Sequence, residues 1–332
     1  MLLDDAIAQF LADRTLKRRS AATIARYRAA LTAWQRWRHA RQHPDDLTDL
    51  TLAELRQYLL YLLLEHVPHG GNPCRPPVDR AGLSPNAVRS SRNIIRALLL
   101  FLVEQGDLPA SWRDQLRNSR LPAPDVELQD RAYWDAATVA ALCRAARDDL
   151  APEPAARTVA IVRLIHESGL RLDEVCRLVD ADLDRDQGRA RIIGKGRKRR
   201  WVYWGDGAAL ALDRYLAIRR GPSGGPVFRG TNHKNDGGAL PPGAVRQVIK
   251  RLARKAGVAL PTNAPIHAGR HGFAHLMIDG GAAISEVADL MGHSDIRTTM
   301  RYLHEKPEKL QQAHARALRR ARGPVGEESE DS

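Results

Sequence analysis

The second half of this chain holds a tyrosine, Tyr302, together with two arginines, Arg171 and Arg270, a lysine, Lys195, and three histidines, His267, His271 and His293. Together they form an inventory for handling a phosphodiester with side chains alone. A tyrosine hydroxyl becomes a nucleophile once its proton, held with a pKa of about 10, is taken away. Two guanidiniums can hold the non-bridging phosphate oxygens in bidentate fashion, and a lysine or an imidazole can protonate the departing sugar oxygen. Cationic side chains would then replace magnesium in stabilising the charged pentavalent state. Singly, each residue also has a plain reading. Arg171 would be a surface arginine after a helix-ending Ser-Gly-Leu, and Lys195 a solvated hairpin tip. The His267-Ala-Gly-Arg270-His271 run would supply helix-start and surface groups, His293 would end a helix, and Tyr302 would be a half-buried tyrosine beside Ile296 and Met300.

The chain that carries them is strongly basic. Four of its 39 acids lie between Glu327 and Asp331, so residues 1–326 carry 35 acids against 52 Lys and Arg, a net +17. A polyanion is the implied partner, nucleic acid or an anionic membrane surface. The membrane is the weaker choice: the longest apolar runs, Leu59 to Leu64 and Ala97 to Val103, fall well short of the roughly 20 residues of a spanning helix. The start, MLLDDAIAQF, lacks the pattern of a secretory signal. Cys74, Cys143 and Cys176 are scattered without a C-x-x-C pair, which suggests neither a disulfide framework nor a cysteine zinc site and fits a reducing cytoplasm. With 43% apolar and 27% charged residues the composition is that of a globular protein, not a disordered or fibrous one.

At 332 residues, two domains are expected, since one usually takes about 100–200 residues. The first hundred residues read as four helices. Asp4–Arg14 comes first, then Ala21–Ala40 with Ile24, Tyr27, Leu31 and Trp34 at helical spacing and arginines on the opposite face. Thr51 to Glu54 forms a capping box before Leu55–Glu65, and Ser84-Pro85 opens a helix that Gly106 closes. The Pro- and Gly-rich stretch from His66 to Gly82 reads as a long surface loop. Periodicity lapses from Asp107 to Asp130, so the expected division is a helical unit over 1–108, a linker over 109–130, a second unit over 131–322 and an acidic disordered tail over 323–332. In the second unit, a helix capped by Asp135 and running to about Asp149, and another over Ala155–Ser168 that Gly169 closes, precede two extended runs, Arg189–Ile193 and Arg199–Trp204, joined as a hairpin with a basic tip. A helix from Ala208 and a Gly- and Pro-rich loop from Gly221 to Pro242 follow. Further helices are expected near Pro242–Ala256, Ala268–Ile278, Ser285–Met291, Asp295–His304 and Glu308–Ala321. The fold class is α+β, mostly helical, with a small antiparallel sheet in the second unit.

Five blocks in order carry a family resemblance: Ser168-Gly-Leu-Arg171-Leu-Asp-Glu174-Val, Gly194-Lys195-Gly196, His267-Ala-Gly-Arg270-His271-Gly-Phe-Ala-His275, Ile284 through Gly292-His293-Ser, and Thr298-Thr-Met-Arg-Tyr302. In these the chain resembles the tyrosine recombinases, or phage integrase family, and within it the simple Xer-like site-specific recombinases. The likeness covers about Tyr133 to Ala321, and the N-terminal helices resemble the family's core-binding domain in position and size only. The resemblance implies that Tyr302 is the nucleophile, that Arg171 and Arg270 clamp the scissile phosphate, and that His267 and His293 assist in proton transfer and phosphate holding. Lys195 would be the general acid for the leaving 5′ oxygen, with Glu174 and His271 in support. It also implies a 3′-phosphotyrosine intermediate that religates without ATP, metal or cofactor. The implied partner is double-stranded DNA, clamped between two domains and recombined in a tetramer on two sites, with a second recombinase or an accessory protein as an admissible further partner.

Two departures from the family pattern carry expectations. Gly269 stands where the family usually has a larger apolar residue, and a glycine at a helix start, costing about 1 kcal/mol, is expected to loosen Arg270. The 66–82 insertion is long, and no arm-binding domain is expected before a bundle that starts next to Met1. Two rivals stand beside this reading. Residues 285–300 scan like a helix-turn-helix, which would suit a non-catalytic DNA-binding regulator; a type IB topoisomerase shares the tyrosine chemistry but works as a monomer. The recombination site and the biological role, whether dimer resolution, integration or transposition, are not written in these motifs.

Overall fold

The structure is a computed structural model that describes residues 1–67, 81–117, 121, 124, 132–194, 199–231, 237–261, 264–293 and 295–300. The chain divides into two units, Met1–Leu128 and Gln129–Ser332.

The first unit is built from α1 (Leu3–Leu16), α2 (Ala21–Ala40), α3 (Leu52–Leu64), α4 (Pro85–Gln105) and the single turn α5 (Trp112–Gln115). Its helix starts follow from capping: the hydroxyls of Ser20, Thr51 and Ser84 accept from the N–H groups of Thr23, Glu54 and Ala87. Gly106 ends α4 in the left-handed conformation, φ +86°. Phe10, Leu31, Trp34, Leu55, Tyr58 and Leu98 fill the core. Two features differ from the sequence expectation. Glu54 completes only half of a capping box, because its carboxylate lies 2.8 Å from Arg38, an α2 arginine that is fully buried rather than on the outward face. The other α2 arginines, Arg26, Arg28 and Arg36, are exposed.

The second difference concerns the expected linker. Trp112, Leu116 and Leu121 belong to the first unit's core, and Arg89, Arg92 and Arg96 of α4 donate to the carbonyls of Pro124, Leu121 and Leu116. This part of 109–130 is held by arginines gripping backbone oxygens, a mode that leaves no apolar period in the sequence. The ends of the 66–82 insertion are tied together, Gly82 N–H to His66 O at 2.8 Å and Leu83 N–H to Leu62 O at 2.7 Å; residues 68–80 lie outside the described residues.

The second unit comprises α6 (Ala136–Asp149), α7 (Pro152–Ser168), α8 (Leu172–Cys176), β1 (Leu183–Asp184), β2 (Arg189–Ile193), β3 (Arg199–Tyr203), α9 (Asp206–Ile218), α10 (Pro242–Lys255), α11 (His267–Asp279), α12 (Ile284–Met291) and α13 (Arg297–Met300). Helix α7 is central, packed by α6, α9 and α11, with Trp134, Ile161, Ile165, Leu212 and Tyr215 in the core. The strands form one antiparallel sheet in the order β1-β2-β3, with Arg189 opposite Tyr203 and Ile193 opposite Arg199. Ala190, Ile192 and Val202 face the core, the period of two that marks a half-buried strand. The α+β, mostly helical reading with a small antiparallel sheet therefore holds. The elements the sequence reading lacked, α5, α8 and β1, are each five residues or shorter, too short to show a period. The loop after α9 is anchored where Arg219 donates to both oxygens of Asp180 at 2.7 and 2.8 Å. Among the described residues no helix is long and apolar enough to cross a membrane. The helix expected at Asp295–His304 is described only to Met300, and those at Glu308–Ala321 and the acidic tail lie outside the described residues.

Candidate active site

Gly169 ends α7 with φ +63°, and a Cβ there would come within 2.4 Å of the Phe273 ring on α11. Only glycine lets the chain turn this tightly against α11, and the turn delivers Arg171 to the start of α8. There Glu174 holds Arg171 twice: Oε2 accepts from its backbone N–H at 2.9 Å and Oε1 from Nη1 at 3.0 Å. Arg200 of β3 grips the same carboxylate from the other side, Nη1 to Oε1 at 3.2 Å and Nη2 to Oε2 at 3.1 Å. Burial pushes the Glu174 carboxyl up, but the hydrogen bonds from Arg200 and the Arg171 backbone, with the charges of both guanidiniums, outweigh it and hold the group below its ordinary value.

Arg270 comes from the first turn of α11 and is 3% exposed. Its Nη1 donates to the carbonyl of Gly169 and its Nη2 to that of Met291. One buried guanidinium thus ties the turn before Arg171 to the turn before His293. The expectation that Gly269 loosens Arg270 is overturned. A Cβ on Gly269 would meet Trp134 Cε3 at 2.6 Å and Ile165 Cγ2 at 2.8 Å, and one on Gly272 would meet the Trp134 carbonyl oxygen at 2.2 Å. The Trp134 indole occupies the space a larger side chain would take, and the two glycines let α11 lie against it with Arg270 pinned beneath.

His267, exposed at the start of α11, lines a recess of about 130 Å³ together with Arg171, Arg246 and Ile266. His271 is partly exposed, its ring centroid 6.4 Å from that of His267, and does not line this recess. His293 follows Gly292, which ends α12 with φ +64°, and its Nδ1 lies 2.7 Å from the hydroxyl of the fully buried Thr299. Lys195, in the connection between β2 and β3, and Tyr302 lie outside the described residues. The structure therefore brings together Arg171, Glu174, His267, Arg270 and His293.

Three contributors escaped the sequence reading: Arg200, Thr299 and Trp134. Arg200 did leave a signal. In β3 it falls on the register of core-facing Val202, between outward Arg199 and Trp201, where an arginine is out of place unless it has a partner. Within the 285–300 segment that scans like a helix-turn-helix, Met291 O accepts from Arg270, and a Cβ on Gly292 would come within 2.9 Å of the Arg200 guanidinium. Among the described residues no group of three or more His, Cys, Asp or Glu is placed to hold a metal ion.

Comparison with known proteins agrees in extent. The profile of the Phage integrase family matches residues 134–309. Tyrosine recombinase XerC of Xanthomonas campestris pv. campestris (strain B100) is 32% identical over 320 residues, covering 95% of this chain and 90% of that protein. Tyrosine recombinase XerC of Xylella fastidiosa (strain 9a5c) is 30% identical over 328 residues, covering 97% and 99%. In fold the chain is similar to the Tn1549 transposon integrase in complex with circular intermediate DNA, with a TM-score of 0.68 at 16% identity over 96% of this chain and 100% of that one. It is similar also to the XerH site-specific recombinase bound to palindromic difH substrate, with a TM-score of 0.66 at 18% identity over 91% and 82%.

Proposed function

The chain belongs to the phage integrase family and is a tyrosine-type site-specific DNA recombinase, and from that premise we propose how its residues divide the work. Tyr302 Oη attacks the scissile phosphorus, and the bond to the 5′ oxygen breaks as the 3′-phosphotyrosine forms. The tyrosine proton passes to a neighbouring base, for which His267 is the candidate, and Lys195 gives a proton to the leaving 5′ oxygen. Arg171 and Arg270 hold the non-bridging oxygens, with His293 beside them. Attack by a 5′-hydroxyl from a second strand reverses every step, so the bond energy is conserved without ATP.

What supports this reading most is the buried Arg270, bonded at once to Gly169 and Met291, which draws the Arg171 and His293 turns into one cluster. The partner is double-stranded DNA. Exposed Arg246, Lys250, Arg251 and Arg254 on α10, and Arg26, Arg28 and Arg36 on α2, suit contacts to phosphates, and affinity falls steeply with salt as counterions are released. A salt-insensitive complex would count against phosphate contact. Each Tyr302 holds one 3′ end, and exchange between two duplexes breaks four strands, so a tetramer on two sites is the working assembly.

The decisive experiment expresses wild type and Tyr302→Phe in cells, denatures with detergent, captures protein that stays attached to DNA and sequences the ends. Attachment in wild type alone establishes the nucleophile and reveals the site. Equal recovery from both removes Tyr302 from the mechanism.

A further inference from the structure

Outside the residues that the five motifs single out, Arg200 stands apart. Its side chain is 15% exposed, it sits on the inward register of β3, and it is bidentate to Glu174. Its Nε is buried and makes no hydrogen bond to any described residue. It also forms the floor of the α12 turn. A Cβ on Gly292 would stand 2.9 Å from Arg200 Cζ and Nε and 3.0 Å from Nη1, so the guanidinium occupies the space a side chain would need at this turn.

We propose that Arg200 is a positioning residue for strand cleavage, which sets Arg171 through Glu174 and the His293 turn through Gly292. This rests on the reading of Arg171 and His293 as phosphate-handling residues. For Arg171 the reason is geometric. A carboxylate facing a lone arginine takes it in the bidentate, fork-to-fork arrangement. With Arg200 spanning both of its oxygens, Glu174 keeps one bond to the Arg171 side chain, through Nη1. The Nη2 and Nε of Arg171, whose side chain is 31% exposed, are left for the phosphate. Without Arg200, Glu174 rotates to chelate Arg171 and takes the clamp out of service. For His293 the reason is packing: the Arg200 guanidinium fills the space beside the αL turn at Gly292 where a Cβ would stand, and that contact sets where His293 begins. Because Arg200 lies one residue beyond the first pair of the β2–β3 ladder, Ile193 with Arg199, the same strand that leads from Lys195 braces the other side chains.

The test uses the full chain and the duplex identified by the detergent-resistant adducts. Wild type must attach through Tyr302; if it does not, the functional reading and this one fall together. Arg200→Lys keeps the charge beside Glu174 but loses the fork. It is expected to bind the duplex within about threefold of wild type while the single-turnover rate of attachment falls roughly 100-fold, the loss that a misplacement of about 1 Å produces. A wild-type rate, or equal losses of rate and affinity, overturns the proposal and leaves Arg200 a structural residue. If Arg200→Lys melts early, Arg200→Gln, which leaves the Glu174 carboxylate to Arg171 alone, is measured in the same two assays: a lost rate with retained affinity supports the proposal, and a wild-type rate or equal losses overturn it. A cycle with Arg171→Lys gives the route. If Arg200 acts through Arg171, the combined loss falls well short of the product of the single losses; a full product overturns that route.

Discussion

A Cβ on Gly269 would stand 2.6 Å from Cε3 and 2.8 Å from Cζ3 of Trp134, an indole with no exposed surface. Glycine here is the complement of the tryptophan. Gly269→Ala is expected to cost about 1–3 kcal/mol, the range for forcing a methyl into a packed core. Urea denaturation measures it, and in a Trp134→Ala background the cost should shrink. An alanine tolerated equally in both backgrounds would show that the two do not compete for space.

Arg270 is gripped by two backbone carbonyls that belong to different turns. Arg270→Lys retains the charge but cannot reach both, so single-turnover cleavage should fall about 100- to 1000-fold, the scale for losing a preorganised donor. The melting temperature should fall with it. A near-wild-type cleavage rate would remove Arg270 from the phosphate site.

In the first unit, Arg38 and Glu54 pair at 2.8 Å with almost no exposure. Arg38→Met strands a carboxylate in the core and should cost about 3–5 kcal/mol, whereas Arg38→Met with Glu54→Met should recover most of that. Equal losses in the single and double variants would mean that packing, not charge, holds α2 against α3.

Glu174 supplies a pH dependence with a definite sign. Its carboxyl is held below the ordinary 4.5, so its ion pairs stabilise the fold fully above that value and fade as pH falls through the lower folded value. Other acids, Asp180 and Glu153 among them, are lowered too, so the useful quantity is a difference. Wild type should exceed Glu174→Gln in urea midpoint at pH 7, and the gap should close progressively below pH 4.5. A gap that persists unchanged into acid would show that Glu174 acts without its charge.

Burial pushes the thiols of Cys143 and Cys176 up, the second to about 12, and the two are 2% and 3% exposed. In a Cys74→Ser chain, iodoacetamide should label neither until the protein is unfolded. Rapid labelling of the native chain would reveal opening of α6 or α8.

Much of this fold was legible in the residues alone. Thr51, Ser84 and Asp135 cap helices where local patterning places them, and Gly106 and Gly169 close them, because a cap bond spans three or four residues and needs no knowledge of the rest of the chain. The two strands of the hairpin were legible as extended runs at Arg189–Ile193 and Arg199–Trp204, while their register came from the structure. The segment at 109–130 misled because arginines of α4 hold its carbonyls, and a contact between a side chain and a backbone oxygen imprints no pattern on the residue whose oxygen is held.

By itself the sequence determined the longer helices and the hairpin strands and the chemical types available to the proposed site, Arg171, Lys195, His267, Arg270, His293 and Tyr302 among them, since both are matters of local patterning and residue identity. Only the tertiary structure decided that Arg270 binds Gly169, 101 residues away, and Met291, 21 away, that Arg200 shares Glu174 with Arg171 across 26 residues, and that Trp134 takes the place Gly269 leaves. The physical reason is range. A buried guanidinium or carboxylate must be satisfied by whatever the fold brings within about 3 Å, and which residue that is depends on how α7, α11, α12 and β3 pack together.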